Sequence, residues 1–327
     1  MLVFLAQPFV FLLLIDFSGV LCYYFVVLLS VGGVCMTKAE YLEEKYRQHA
    51  ESYKQGKAEF FAHPSIARIE PFKIADQLYY VGDKKVCVHL IDTGDGLILL
   101  DSGFLKAEHL LVDSIWRVGF DPAHIKWIIH SHGHTDHYGA SEEFRRMYGA
   151  KLAISRIDAE KLRRKKAEDY TNYSAPDFDY EIEDGEIFEL GNVKIRCVLT
   201  PGHTEGVLSF FFDVTYNSKT YLAGMYGGAG VAAVSLPNIN HYGAPLDSAE
   251  QMLASIELVR KEPVEVHLGN HPYNNHTLEK REKQLAEGGN PFIDKSSWPD
   301  FLDELKDSVC QKIKENEQMK KEMENLD

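Results

Sequence analysis

Three histidines and one aspartate lie within the six-residue segment 132–137, which reads HGHTDH. The apolar run 125–129 precedes this segment and predicts a strand that ends where the cluster begins. A chain that leaves a strand in a tight loop can direct His132 and His134 towards one ion, and Asp136 and His137 towards a second. Imidazole nitrogens with a single carboxylate oxygen suit zinc, because calcium and magnesium prefer shells of oxygen atoms. The cluster therefore predicts a metal site. The alternatives are a histidine-rich surface turn, a chance cluster or a purification tag. A tag would be terminal and unbroken, whereas this cluster is internal and interrupted by Asp136.

Six residues cannot complete the shells of two ions, and two other predicted strands also end at histidines. The run 193–200 leads into a turn that presents His203, and the alternating run 264–268 opens into a turn that presents His271. Histidines inside strands have another interpretation, and His89 and His267 are expected to be hydrogen-bonded core residues. For His130, which adjoins the cluster, a core position and a role in supporting a metal ligand both stay open.

Four segments together resemble the motifs of the metallo-β-lactamase superfamily of binuclear zinc hydrolases: HSHGHTDH (130–137), LLDSG (99–103), TPGHTEG (200–206) and GNHP (269–272). The resemblance covers the chain from roughly residue 72 to the C-terminus. It implies an α/β fold, the four-layer αβ/βα sandwich, with the site at strand ends between two sheets. The predicted elements agree, because they form two strand-rich halves flanked by helices.

The resemblance also implies two zinc ions and assigns a ligand set to each. The first would be held by His132, His134 and His203, and the second by Asp136, His137 and His271. Asp101 would be the buried aspartate that orients a ligand imidazole. A hydroxide bridging the metals, oriented by Asp136, would attack the substrate carbonyl, so that no serine or cysteine nucleophile is needed.

Two positions depart from the pattern of most branches of the superfamily. Met225 stands where an aspartate normally bridges the metals, and a thioether is too soft to replace a carboxylate on zinc. Val207 stands where the glyoxalase II branch has a further histidine. The third subclass of class B β-lactamases does without the bridging residue and uses an Asp-His-His set for its second zinc, and the segment 289–294 resembles the end of that subclass. The resemblance is therefore strongest to this subclass.

The substrate is less well defined than the metal site. The third subclass typically has serines just after Met225 that bind the β-lactam carboxylate, but residues 226–230 read YGGAG. Polar residues of the predicted loop above the metals are candidate substrate contacts, although loop packing would explain them equally well; they are Tyr226, Asn238, Asn240 and Tyr242. The leading function is opening of a cyclic amide like a β-lactam. The alternatives are a lactonase or other ester or thioester hydrolase, and a non-catalytic binding protein with a relic site.

The rest of the sequence is typical of a globular enzyme that acts on a small molecule. The net charge of −14 argues against nucleic-acid partners. Apolar periodicity predicts the following elements: strands near 78–82, 87–93, 97–101 and 126–130 with helices 106–118 and 138–147, then strands 187–190, 193–200, 207–213, 219–224 and 264–268 with helix 247–260 and an amphipathic helix from Trp298.

The chain divides into four segments: an apolar stretch 1–35, a polar helical lead-in 36–70, the hydrolase-like domain 71–315 and a charged tail 316–327. Residues 1–35 contain one charged residue, Asp16, and their apolar run 17–35 is long enough to span a bilayer. Three interpretations stay open, namely a membrane anchor, an atypical export signal, or a start codon chosen upstream of the true Met36. The protein would be membrane-anchored in the first case, secreted or periplasmic in the second, and cytoplasmic in the third.

We predict that a chain beginning at Met36 folds and binds zinc like the full chain. All motif residues lie at or after residue 99, and the segment 1–35 is apolar on every face rather than along one stripe that would dock on a core. Soluble expression of residues 36–327, thermal melting and zinc analysis test this. Insoluble or metal-free protein beside a well-behaved full chain would show that the segment belongs to the folded domain.

Overall fold

The computed structural model describes residues 36–164 and 174–324, which form two β-sheets flanked by helices. The first sheet has seven strands in chain order: β1 (Phe72–Ala75), β2 (Leu78–Tyr80), β3 (His89–Asp92), β4 (Leu97–Leu100), β5 (Ile125–Ile129), β6 (Lys151–Ser155) and β7 (Tyr180–Ile182). The second has five strands in the order β12-β11-β10-β9-β8: β8 (Ile187–Leu190), β9 (Val193–Leu199), β10 (Leu208–Tyr216), β11 (Lys219–Met225) and β12 (Val266–Leu268).

The helices of the described residues are, in chain order, α1 (Lys38–Ala62), α2 (Glu108–Arg117), α3 (Thr135–Tyr138), α4 (Ser141–Tyr148), α5 (Arg156–Arg164), α6 (Leu236–Tyr242), α7 (Ser248–Val259), α8 (Thr277–Glu287) and α9 (Ser297–Met323). Within these residues, no helix is both long and apolar enough to cross a membrane. The segment 1–35 and its proposed roles lie outside the described residues.

The two sheets pack face to face and share the largest hydrophobic core. Leu100 and Ile129 of the first sheet lie in one buried cluster with Phe210 and Met225 of the second. Strand β4 is buried along its whole length, as expected of a strand covered on both faces. Met225, the residue at the usual position of the bridging aspartate, is thus a core residue.

Helices cover the outer face of each sheet. Ile115 of α2 and Phe144 of α4 pack against residues of β3, β4 and β5. On the other side, Ile256 of α7 and Leu302 of α9 pack against Phe211 of β10. The order of layers is helices, sheet, sheet, helices, so the expected four-layer αβ/βα sandwich is confirmed.

The strand directions bring the predicted motifs to one edge of the sandwich. β4, β5, β6 and β7 are parallel, and Leu100 pairs with Ile129, so the chain leaves β4 and β5 side by side. In the second sheet β9 and β11 are each antiparallel to β10, while β11 and β12 are parallel. The carboxyl ends of β9, β11 and β12 therefore lie at a common edge.

Helix α1, the predicted polar lead-in, packs on α6. It begins with a capping box, in which Thr37 and Glu40 each accept a backbone N–H of the other. The Tyr46 ring stacks on His241 at 3.5 Å between centroids, and its hydroxyl lies 2.8 Å from that of Tyr242. These contacts hold a helix with little apolar surface against the domain.

The predicted elements omit β1, β6, β7, α5 and α8, and two other segments differ from their predicted form. The predicted loop that contains Asn238, Asn240 and Tyr242 is the helix α6, started by Pro237 and ended at Gly243 in a left-handed conformation. The segment assigned to the charged tail from residue 316 continues helix α9 as far as Met323. Its Asn316 side chain accepts from the Leu236 N–H and donates to the Val234 carbonyl, both at 2.9 Å, which fixes this part of the helix.

Candidate metal centre

The six side chains singled out in the sequence as metal ligands meet as two groups of three, namely His132 with His134 and His203, and Asp136 with His137 and His271. Within each group the potential ligand atoms all lie within 4.8 Å of one another. The grouping is the same as the one that the resemblance implies.

Each ligand is placed by the end of a strand or the start of a helix. His132 and His134 follow β5, and α3 begins directly after His134 and carries Asp136 and His137 on its first turn. The other two histidines come from the second sheet, where His203 follows β9 and His271 follows β12. The site therefore requires both sheets.

In the first group, backbone carbonyls orient two of the imidazoles. The Nδ1–H of His132 donates to the Gly227 carbonyl at 2.8 Å, and that of His203 donates to the Gly230 carbonyl at 2.7 Å. Since a carbonyl can only accept, the proton lies on Nδ1 and each Nε2 carries a free lone pair. These Nε2 atoms lie 3.1 and 3.0 Å from Nδ1 of His134.

In the second group, hydrogen bonds from Nδ1–H likewise orient His137 and His271. The Nδ1–H of His137 donates to the Asp101 carboxylate at 2.8 Å, and that of His271 donates to the Lys85 carbonyl at 2.7 Å. The two Nε2 atoms each lie 3.8 Å from Oδ2 of Asp136. Nε2 of His137 is buried without a hydrogen-bond partner.

The donor atoms fit zinc. Two nitrogens bound to one tetrahedral zinc lie about 3.3 Å apart, given Zn–N distances of about 2.0–2.1 Å, and the nitrogens of the first group are spaced at 3.0–3.1 Å. Three nitrogens in one group, and two nitrogens with one oxygen in the other, form a donor set that zinc prefers. A cation between them would also satisfy the lone pair of His137 that has no other partner.

Burial and mutual repulsion keep most of the imidazoles neutral. Both effects hold the pKa of His132 well below its ordinary value, and burial lowers the pKa of His203 to about 4. The pKa of His137 is instead raised, because Asp136 and Asp101 outweigh burial, so a metal ion would displace a proton from its Nε2. Burial by itself would raise the pKa of Asp136, but the imidazoles of His137 and His271 hold it well below its usual range. Asp136 is therefore ionised at neutral pH.

The glycine-rich segment 227–230, which lacks substrate-binding side chains, supports the first group of ligands. A Cβ at Gly228 or Gly230 would lie 2.9 Å from ring atoms of His203, so only glycine lets the backbone approach this closely. The carbonyls of Gly227 and Gly230 accept from His132 and His203, as described above. The Gly227 carbonyl also accepts from the Asn270 side chain at 2.7 Å.

Asp101 and His130 lie behind the ligands. The Asp101 carboxylate accepts from the Ser131 N–H at 2.7 Å and its hydroxyl at 2.8 Å as well as from His137. Asp101 adopts a left-handed φ of 62°, a conformation that aspartate tolerates better than most residues. His130 is fully buried with its ring nitrogens 2.8 Å from the Ala153 carbonyl and 2.6 Å from the Ser141 hydroxyl, so it braces the loop that carries the ligands.

The four candidate substrate contacts occupy different environments. Asn238 and Tyr242 line a cleft of about 870 Å³ that also contains the six ligands. Tyr226 is buried under α9, where its ring packs edge-on against Phe301, and Asn240 is exposed on α6 away from the cleft lining. His89 is a core residue as expected, but neither of its ring nitrogens has a hydrogen-bond partner, and burial lowers its pKa to about 4.

Asp158 is a supporting residue that the sequence analysis did not identify. It is buried, and its carboxylate accepts from the Gly133 N–H at 2.8 Å, the Thr204 hydroxyl at 2.7 Å and the Gly206 N–H at 3.1 Å. It therefore ties the loop of His132 and His134 to the loop of His203. Its only signal in the sequence is that it shares a helical face with Leu162, four residues later.

We predict that Asp158→Ala lowers the free energy of unfolding by about 1–3 kcal/mol, because it leaves buried donors of both loops without an acceptor. Urea denaturation measures this change. Glu160→Ala, on the exposed face of the same helix, is the matched control and should change stability by less than about 0.5 kcal/mol. Equal effects of the two substitutions would contradict the structural role of Asp158.

Comparison with solved structures shows the same fold in subclass B3 metallo-β-lactamases. The chain is similar to BJP-1 of Bradyrhizobium japonicum, with 26% identity and a TM-score of 0.70 over 77% of this chain and 96% of that one. It is similar to native FEZ-1 of Legionella gormanii, with 27% identity and a TM-score of 0.70 over 77% of this chain and 98% of that one.

Curated relatives match over shorter stretches. A hydroxyacylglutathione hydrolase of Chelativorans sp. is 26% identical over 119 residues, which are 36% of this chain and 40% of that protein. A beta-lactamase hydrolase-like protein of Xylella fastidiosa is 25% identical over 173 residues, which are 49% of this chain and 37% of that protein. The chain thus spans less than half the length of these relatives.

The sequence profile of the metallo-beta-lactamase superfamily matches residues 81–215. This region contains five of the six proposed ligands, and His271 reaches the site from beyond it. Profile, fold and resemblance agree that residues 81–215 carry a metallo-beta-lactamase superfamily domain.

Proposed function

We propose that this protein is a di-zinc hydrolase that opens a cyclic amide of the β-lactam type. The observation that supports this most directly is the convergence of six ligand side chains in one cleft, in two groups that each suit one zinc ion. In this proposal His132, His134 and His203 hold one ion, and Asp136, His137 and His271 hold the other.

Bound zinc would lower the pKa of a coordinated water towards neutrality and polarise the substrate carbonyl. The residues of the chain prepare the site for this chemistry. Asp136 stays ionised at neutral pH and can orient the attacking water, and Asp101 keeps His137 in one orientation. The carbonyls of Gly227, Gly230 and Lys85 hold three other imidazoles with Nε2 directed inwards. Little rearrangement of the ligands is then needed when the metals bind.

The cyclic amide is favoured over a thioester by the residues at two positions. Met225 offers only a thioether and Val207 offers no ligand atom, so neither position can supply the further metal ligand that the glyoxalase II branch uses there. Two solved structures that this chain resembles over 77% of its length are named metallo-β-lactamases. Thioester or lactone hydrolysis is the second candidate, favoured by the hydroxyacylglutathione hydrolases among the relatives.

The proposed substrate is a small molecule rather than a nucleic acid. A cleft of about 870 Å³ falls within the size range of small-molecule sites. The net charge of −14 would repel a phosphate backbone. A non-catalytic protein with a relic site is the least favoured alternative, because such a site should have lost a ligand and all six are present.

We predict about two zinc ions per chain in protein purified under zinc-replete conditions. His203→Ala should empty the first group of ligands preferentially and His271→Ala the second, so each variant should retain about one ion. Elemental analysis by mass spectrometry measures the content, and His109→Ala, an exposed histidine of α2, is the control that should retain both. One ion or fewer in the unmodified protein would contradict the binuclear site.

We predict that zinc-loaded protein hydrolyses β-lactams with a kcat/KM at least about tenfold above that for an acyl homoserine lactone or S-lactoylglutathione. A panel of a penicillin, a cephalosporin, a carbapenem and these two compounds measures the preference. Asp136→Asn is the inactive control, because it removes the ionised carboxylate from the cleft. Faster turnover of the thioester would support the second candidate, and no turnover of any compound would contradict both.

A further inference from the structure

Helix α1 contributes a lysine to the wall of the metal cleft. Lys57 lines the cleft together with Asp136, His137 and the other proposed ligands, and its ammonium group interacts electrostatically with Asp136. It comes from the polar lead-in, and the family profile begins only at residue 81. This cation is therefore an addition to the site by a segment outside the profile.

The Lys57 side chain is held in place without an acidic partner. Its Nζ donates to the Tyr53 hydroxyl at 2.6 Å and lies 4.3 Å from the centroid of the Tyr53 ring and 4.7 Å from that of Phe104. Among residues 36–164 and 174–324, no carboxylate lies within ion-pair distance of it. The ammonium group has three N–H donors, so the bond to Tyr53 leaves it the capacity to donate to a bound ligand.

Other cations of the cleft differ in their surroundings. Lys161 forms an ion pair with Glu205, and Arg164 forms one with Glu160. Lys84 and Lys85 have exposed side chains. Lys57 is partly buried, and burial lowers its pKa while Asp136 opposes that effect. Desolvation of an ammonium group is unfavourable, and two aromatic faces and one hydroxyl offset it only in part. An anion bound beside Lys57 would offset the rest of this desolvation cost.

We propose that Lys57 binds a carboxylate of the substrate while the bond to be cleaved lies at the metal ligands. This inference rests on the proposed function and deepens it, because it restricts the substrates to acyl compounds with an anionic group near the reacting carbonyl. It also supplies the cation that the segment 226–230 lacks, since the carbonyls of Gly227 and Gly230 are committed to imidazoles and no side chain there is charged.

A binding experiment on the full-length, zinc-loaded protein tests this inference without relying on turnover. The probes are 2-mercaptoacetate, 3-mercaptopropionate and 4-mercaptobutanoate, each compared with its methyl ester. The thiolate binds zinc in both members of a pair, so only the acid can use Lys57. The dissociation constants are measured by isothermal titration calorimetry, and the ester-to-acid ratio is compared between variants so that intrinsic differences in thiol acidity cancel.

In the unmodified protein, at least one chain length should favour the acid by about tenfold, the effect of one hydrogen bond between charged groups. Lys57→Met should reduce this preference to within about twofold, and Lys57→Arg should retain most of it. Lys54→Met, which removes an equal charge from the exposed side of α1, is the control and should leave the preference unchanged. Thermal melting and zinc content should be the same in all four proteins.

Two results would overturn the inference. An acid preference that persists in Lys57→Met, or that is absent from the unmodified protein at every chain length, would show that Lys57 only packs the helix. Zinc analysis of the same samples separates this outcome from failure of the proposed function. Protein that takes up no zinc would contradict the proposed function and the inference together, whereas zinc-loaded protein without an acid preference contradicts only the role of Lys57.

Discussion

The site depends on one constraint, namely that the potential ligand nitrogens of several imidazoles must face one another inside the protein. Nε2 of His132 and His203 both point at Nδ1 of His134, and Nε2 of His137 is buried without a partner. Buried polar atoms without partners are unfavourable, so this arrangement requires outward hydrogen bonds that leave each ring no alternative orientation. Backbone carbonyls provide three of these bonds and Asp101 provides the fourth. The lone pairs are thereby kept ready for a cation.

The need to fix the ligands explains three features of the fold that would otherwise be unfavourable. The glycines at 228 and 230 bring the backbone against His203, where any side chain would collide with the ring. Asp101 adopts a left-handed conformation directly after a buried strand, and its carboxylate reaches both the Ser131 backbone and His137. Asp158 is buried on α5 and joins the two loops that carry the first group of ligands. The glycines and the left-handed backbone at Asp101 are locally unfavourable, and Asp158 restricts the freedom of two loops. Each of these features fixes the position of a ligand.

The cleft that contains the six proposed ligands combines this scaffold with an additional helix. The Tyr46 ring fixes α1 against α6, and the same helix places Lys57 beside the ligands. Substrate selection can therefore vary through α1 and α6, while the six ligands stay on the two sheets.

The six candidate ligands and the fold class could be predicted from the sequence because they depend on local patterns. His132 to His137 follow a strand within one short loop, and alternating apolar residues predict the strands that end at His203 and His271. The supporting residues could not be predicted, because their roles arise from contacts between segments far apart in the chain. Asp158 resembles an ordinary helix residue, and Lys57 resembles a solvated lysine of a polar helix. Only the packing of α5 and α1 against the cleft, which buries one carboxylate and leaves one ammonium group without an acidic partner, decides that they belong to the site.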